Sequence, residues 1–220
     1  MSTSQAAFEK LHRDVQRAVY QLRWSSLREI QILTINAFFE CLNDLLLIAP
    51  TAGGKTESWL LPISSCLVME RLASVQCLVI SPLKALINDQ HARIQKFCEP
   101  LHISVTGWHG DVPLDKKQAL VKNPRGVLVQ TPESMEALLM NHSPRAGKLF
   151  KHLQFVVVDE VHSLIEEERG IHVRSLLSRL FELIEARPRL LGLSATIGDP
   201  CAAQVFLNPD RPDSVKILGL

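Results

Sequence analysis

Six short apolar runs constrain this chain more than any other feature. They are Leu45–Ile48, Cys77–Ile80, Ile103–Val105, Val127–Val129, Phe155–Val158 and Leu190–Leu193. Each is too short for a buried helix, and several are rich in Val and Ile. Continuous apolar runs of this length suit strands covered on both faces, as in a parallel sheet. Amphipathic stretches follow the runs, which is the pattern of repeated βαβ units. The expectation is a doubly wound α/β domain, a mostly parallel sheet flanked by helices. At 220 residues the chain is long enough for one sizeable core and too short for two large domains. Ahead of the first run, the first 40 residues read as helical. Phe8, Leu11, Val15 and Val19 recur at helical spacing, and a second pattern starts near Leu27.

In open parallel sheets, ligands sit beyond the carboxyl ends of the strands. Directly after the first run comes Ala49-Pro50-Thr51-Ala52-Gly53-Gly54-Lys55-Thr56, with a helical pattern from Glu57. This fits a phosphate-binding loop of the form [AG]-x-x-x-x-G-K-[ST]. Small residues let backbone N–H groups turn inward around a phosphate, and the helix that follows points its N-terminus at the same anion. Lys55 can reach β- and γ-phosphates, and the Thr56 hydroxyl can ligate Mg²⁺. Ala49 and Ala52 stand where such loops often carry Gly; both are small, so the path stays open. Pro50, Thr51, Ala52, Gly53, Gly54, Lys55, Thr56 and Glu57 are therefore candidate nucleotide contacts.

The fifth run ends in Asp159-Glu160-Val161-His162. A strand tip there delivers two carboxylates to the edge that carries the loop. Asp159 can hold the Mg²⁺ shell, and Glu160 can act as general base toward water. Acids after a strand also suit the start of a helix. The pairing with Lys55 favours the catalytic reading, with Lys55, Asp159 and Glu160 as the catalytic set.

Together these segments resemble the first RecA-like, ATP-binding domain of superfamily 2 helicases of the DEAD/DEAH-box type, over roughly residues 20–208. Ala49–Thr56 looks like motif I, Ser81–Gln90 like motif Ia, and Thr131-Pro132-Glu133-Ser134 like motif Ib. Asp159–His162 is a DExH form of motif II, and Ser194-Ala195-Thr196 looks like motif III. Trp108–Asp111, Arg169-Gly170 and Ile197–Pro200 are similar to the large helicase-related branch. Leu27–Gln31 resembles the family's adenine-reading motif. Gln31 would meet the adenine edge, Arg28 would stack on the base, and Trp24 would pack nearby.

The resemblance further implies a nucleic-acid track along Pro82, Lys84, Gly110 and Thr131, and a coupling set of His162, Ser194 and Thr196. Lys+Arg number 24 against 23 Asp+Glu, so strand contact must come from local donors rather than bulk charge. Eight Phe, three Trp and one Tyr give no ladder for base stacking. Backbone contact with single-stranded or duplex nucleic acid is the expectation, with DNA favoured over RNA. Residues 1–22 read as an N-terminal helical segment, 23–208 as the ATP-binding domain, and 209–220 as the start of a linker. That linker would lead to a second RecA-like domain, in cis or in trans, holding the arginines worth roughly 10³–10⁵ in rate.

Five widely spaced cysteines form no C-x-x-C, which argues against a disulfide framework or a zinc site. No apolar run approaches membrane-spanning length, and the expected location is cytoplasmic. The leading function is the ATP-binding half of a nucleic-acid-dependent ATPase or helicase using ATP and Mg²⁺. A non-motor module with ATP as a switch, and a P-loop kinase, are the competing classes.

Overall fold

The computed structural model describes residues 3–82, 84–141, 143–165, 167–196 and 198–219; the side chains of residues 84–86, 141 and 143 also lie outside the description. Seven parallel strands form one sheet in the order β3-β4-β2-β5-β6-β1-β7. They are β1 (Leu45–Ile48), β2 (Val75–Ile80), β3 (Val105–Trp108), β4 (Gly126–Gln130), β5 (Phe155–Val158), β6 (Arg189–Ser194) and β7 (Lys216–Leu218). β1, β2, β4 and β5 are buried along their whole length, which is why they read as unbroken apolar runs.

Helices cover both faces. On one lie α1 (Thr3–Glu9), α2 (Arg13–Gln21), α3 (Glu29–Glu40), α4 (Lys55–Met69) and α5 (Lys84–Cys98), packed on the alternate strand residues Leu45, Leu47, Val79, Val129 and Val157. On the other lie α6 (Leu114–Lys122), α7 (Pro132–Asn141), α8 (Ser143–Leu149), α9 (His162–Ile165), α10 (Glu168–Phe181) and α11 (Pro200–Leu207), over Leu46, Leu78, Leu128, Val156 and Val158. Alternation along each strand thus divides the core into two halves. Among the described residues, no helix is long and apolar enough to cross a membrane.

Two elements differ from the sequence expectation. The third strand starts at Val105 and runs to Trp108, two residues beyond the expected Ile103 start. It is an edge strand with all four residues half-buried, so its apolar signal is weak and the neighbouring Ile103 carries the run instead. Residues 209–220, expected as the start of a linker, contain the additional strand β7, which pairs with β1. At the N-terminus the apolar stripe divides between α1 and α2. Ala7, Leu11, Val15 and Val19 are buried in the same cluster as α3 and α4.

The amino-terminal end of the sheet is tied by Asp44. Its carboxylate accepts both Arg187 Nη1 (3.2 Å) and Nη2 (2.7 Å), the Leu190 N–H (2.8 Å) and Asn208 Nδ2 (3.0 Å). The buried charge is fully partnered, as it must be at 4% exposure. On the second face, Gly170 opens α10 against the end of α9. A Cβ there would stand 1.8 Å from the Leu164 carbonyl oxygen. Gly170→Ala should therefore cost at least about 2 kcal/mol and lower the melting temperature by roughly 4–8 °C. Gly198→Ala, whose Cβ would meet nothing within 4 Å, should change it by less than about 2 °C. Calorimetric melting of both variants checks the contrast.

Candidate functional site

Because all strands run parallel, their carboxyl ends share one edge, and the sheet order divides that edge in two. Gly110, Thr131 and Pro82 follow β3, β4 and β2, three adjacent strands. Asp159, Ser194 and the loop from Ala49 stand at the ends of β5, β6 and β1, the next three. The candidates for strand contact and for nucleotide contact thus occupy neighbouring halves, meeting where β2 pairs with β5.

The loop between β1 and α4 is wound tightly. Gly53 donates its N–H to the Pro50 carbonyl at 2.8 Å, and a Cβ on it would come 2.7 Å from that same oxygen. Gly54 has φ +92°, a left-handed conformation that glycine adopts without strain. Ala52 has φ +61°, which costs an alanine about 1 kcal/mol. The substitution noted in the sequence is accommodated by strain rather than by a different path. The Lys55 ammonium folds back into the loop and donates to the Ala49 carbonyl (2.6 Å) and the Pro50 carbonyl (3.3 Å). Thr56 follows it in the first turn of α4, whose N-terminal N–H groups point back toward the loop. Pro50 and Thr51 are exposed at the tip.

Arg28 and Gln31 dock directly on this loop. Arg28 Nη1 donates to the Ala52 carbonyl, and a Cβ on Gly54 would lie 2.8 Å from Gln31 Nε2. The Gln31 side-chain carbonyl accepts the Arg28 N–H at 2.9 Å, and the Arg28 carbonyl accepts the Gln31 N–H at 3.0 Å, at the start of α3. The Gln31 amide nitrogen is left facing the loop. Trp24, Arg28, Gln31, Ala52, Gly54 and Glu57 line one cleft of about 480 Å³. Glu57 faces Arg93 of α5 across it at 3.8 Å, and Trp24 packs on Phe97 with ring centroids 5.8 Å apart. Arg93 carried no signal in the sequence, since it lies in an ordinary helical surface pattern. A larger groove of about 890 Å³ runs along β3 between α5 and α6, and holds no nucleotide candidate.

The acidic pair is built for strain and desolvation. Asp159 is 6% exposed. Burial and the neighbouring Glu160 charge push its carboxyl up to about 6, while hydrogen bonds from the Glu160 N–H and Gln90 and the Lys55 charge oppose the rise. Oδ1 accepts the Glu160 N–H at 3.0 Å, and Oδ2 accepts Gln90 Nε2 from α5. Gln90 lies inside the Ser81–Gln90 segment, but nothing in that segment marked it as a partner of Asp159. Glu160 has φ +50°, a left-handed conformation that costs a residue other than glycine about 1–2 kcal/mol.

His162, Ser194 and Thr196 come together as one chain. Ser194 Oγ donates to the Thr196 carbonyl at 2.6 Å, so its single proton is spent. It must accept from His162 Nδ1 at 3.1 Å, which fixes the imidazole proton on Nδ1. That nitrogen also lies 3.3 Å from Glu160 Oε2, which is buried and has no hydrogen-bond partner among the described residues. Six of the seven such atoms belong to Ser81, Gln90, His109, Gln130 and Glu160, all on this carboxyl edge.

On the strand half, Thr131 accepts the Ser134 N–H at 3.2 Å and caps α7. Pro82 is buried, Gly110 is exposed with open space around its α-carbon, and the Lys84 side chain lies outside the described residues. α7 is fastened to α10 by Arg169 on Glu133 (2.6 Å), and by His172 (2.9 Å) and Arg179 (2.8 Å) on Glu136. Ile197 lies outside the described residues; Asp199 after it caps α11 by accepting the Cys201 and Ala202 N–H groups.

The donor set fits a magnesium nucleotide. Lys55 places a cationic donor in the loop, Gly53 and Gly54 carry no side chain, and Thr56 and Asp159 offer hard oxygens. Among the described residues, no cluster of three His, Cys, Asp or Glu could cage a metal. A cation here would need phosphate oxygens and water as its other ligands.

A profile described as DEAD/DEAH box helicase matches residues 28–203. The chain is similar to a Lhr helicase/probable uracil glycosylase of Mycolicibacterium smegmatis, 31% identical over 188 residues, 79% of this chain and 12% of that protein. It is also similar to the ATP-dependent helicase Lhr-Core of Methanothermobacter thermautotrophicus, 33% identical over 172 residues, 70% of this chain and 19% of that one. Among solved structures, Mycobacterium smegmatis helicase Lhr bound to ssDNA and AMP-PNP superposes with a TM-score of 0.85 at 28% identity. That match covers 96% of this chain and 28% of the other. The chain thus spans about a tenth to a fifth of the length of these curated relatives.

Asp159 carries a stability cost that a variant can expose. Its folded pKa lies above the unfolded value, so the carboxylate opposes folding above about pH 6. That penalty shrinks as pH falls through 6 and is gone below the ordinary value of 3.8. Asp159→Asn should thus stabilise the metal-free protein at pH 8 by on the order of 2 kcal/mol, with the gain vanishing near pH 4. Gln90 can turn its free Oε1 toward the new amide. Melting curves of both proteins in EDTA across this range check the sign.

Proposed function

Starting from the premise that this chain belongs to the DEAD/DEAH box helicase family, we propose that it is the nucleotide-binding half of a nucleic-acid-stimulated ATPase acting on single strands. The observation that carries this reading is the shared carboxyl edge, where Lys55, Asp159 and Glu160 stand beside Thr131, Pro82 and Gly110. Bound Mg·ATP would supply the transferable γ-phosphoryl group and the cation that neutralises it.

The N–H groups of Gly54 to Thr56 would orient the polyphosphate, helped by the N-terminus of α4, while the Gly53 N–H holds the loop's own turn on Pro50. Lys55 exchanges the carbonyls of Ala49 and Pro50 for phosphate oxygens, so its ammonium is already at the loop before ligand arrives. Thr56 and Asp159 would hold the Mg²⁺ shell. Gln31 and Arg28 meet the base, with Trp24 nearby. Glu160 would take the proton of the attacking water, with His162 Nδ1 3.3 Å from its Oε2. His162, Ser194 and Thr196 relay the state of Glu160 toward the end of β6. The strand track contacts phosphates rather than bases, and helix starts such as Thr131 at α7 suit that role.

A second RecA-like domain, in cis or in trans, would contribute the missing arginines. DNA is the favoured strand because the similar Lhr helicase is one bound to ssDNA. A P-loop kinase leaves the order of Thr131 and Ser194 along the edge unused.

A fluorescent non-hydrolysable ATP analogue and a labelled oligothymidylate test the reading. Lys55→Ala should weaken nucleotide binding at least tenfold and leave strand affinity in the absence of nucleotide within about twofold. Glu160→Gln should keep nucleotide affinity within about threefold and lower single-turnover hydrolysis by roughly 10²–10⁴. Hydrolysis that survives both variants would overturn the assignment.

A further inference from the structure

The two halves of the carboxyl edge meet between β2 and β5, and one side chain spans that seam. Gln90 sits on α5, the helix that follows β2, and donates Nε2 to Oδ2 of Asp159 at the tip of β5. Its own Oε1 is buried and has no hydrogen-bond partner among the described residues. Among the described residues, the contact with Asp159 is the one that anchors the amide. Both carboxylate oxygens of Asp159 are engaged, one by its own loop and the other by α5. A carboxylate held by two donors from two elements has its orientation set by both.

We propose that Gln90 is a positioning residue that ties the metal-holding carboxylate of Asp159 to the strand-side helix α5. This rests on the reading of Asp159 as a Mg²⁺-shell residue. Gln90 lies six residues after Lys84, the start of α5, or roughly 9 Å along the helix axis. A strand that shifts the start of α5 carries Gln90 with it as part of one rigid element. Asp159 then reorients, because Oδ2 loses or gains its donor. In the reverse sense, a ligand that engaged the same oxygen of Asp159 would compete with Nε2 and free α5 from this tie. Coupling of this kind is reciprocal by thermodynamic necessity.

The test uses this chain, the fluorescent ATP analogue and the oligothymidylate. Nucleotide affinity is measured in Mg²⁺ and in EDTA, each with and without the strand. The wild type should show a strand-dependent change of at least about fivefold in Mg²⁺ and none in EDTA. Gln90→Met keeps the length of the side chain and removes both amide groups. It should reduce the change to below about twofold, with affinity in EDTA within about twofold of wild type and a cooperative melt lowered by roughly 2–8 °C for the lost donor to a buried carboxylate. Gln90→Asn, whose amide is one methylene too short to reach, should lose the coupling likewise.

Full coupling in both variants overturns the proposal. So does a loss of affinity that is equal in Mg²⁺ and EDTA, which is the signature of packing alone. A wild type that binds both ligands with no strand-dependent change also overturns it. A wild type that binds no nucleotide, or no strand, overturns the functional reading beneath it, and the wild-type titrations alone distinguish that case.

Discussion

All seven strands point the same way, and the rest of the molecule follows from that constraint. Parallel neighbours need a crossover between them, so each strand delivers its next loop to one edge and sends a helix back over a face. The phosphate loop, the acidic pair and the caps of α7 and α11 share that edge for this reason. The opposite end carries structural chemistry instead: the buried Asp44 carboxylate gathers Arg187, Leu190 and Asn208 around it. Binding candidates and structural ties are thus separated by the length of a strand.

The candidate site is kept at some cost to stability. Asp159 is charged and buried, Glu160 and Ala52 have positive φ, and six buried polar atoms along the edge lack partners. Elsewhere among the described residues one such atom is found, on Arg189. A protein selected for stability alone would not concentrate orphaned groups at the ends of adjacent strands. The N–H of His162 illustrates the economy of the arrangement. It is committed to Ser194, which leaves Glu160 Oε2 without a donor although the two atoms are 3.3 Å apart.

Much of this was legible in the residues. The buried strands announced themselves because both faces are covered, so no polar residue interrupts Leu45–Ile48 or Phe155–Val158. The loop was legible because backbone curvature demands small residues at fixed spacing. The edge strands were not. β3 is half-buried and β7 has only three residues, so neither carries a strong period. Strand order was equally hidden, since β2 lies between β4 and β5 through long-range pairing. That order is what places Gln90 beside Asp159, 69 residues away along the chain. Gly170 had been noticed only by resemblance; its physical reason is the Leu164 carbonyl that fills the space of a side chain.

The ion pairs between α7 and α10 give the edge a mechanical character. Glu133 and Glu136 stand nearly one turn apart on α7, and two arginines and a histidine from α10 grip them. Two helices pinned at two levels are held against both tilting and sliding. A tug on the cap at Thr131 is then borne in shear by α10, with its glycine seated on α9, instead of being dissipated as bending of a lone helix.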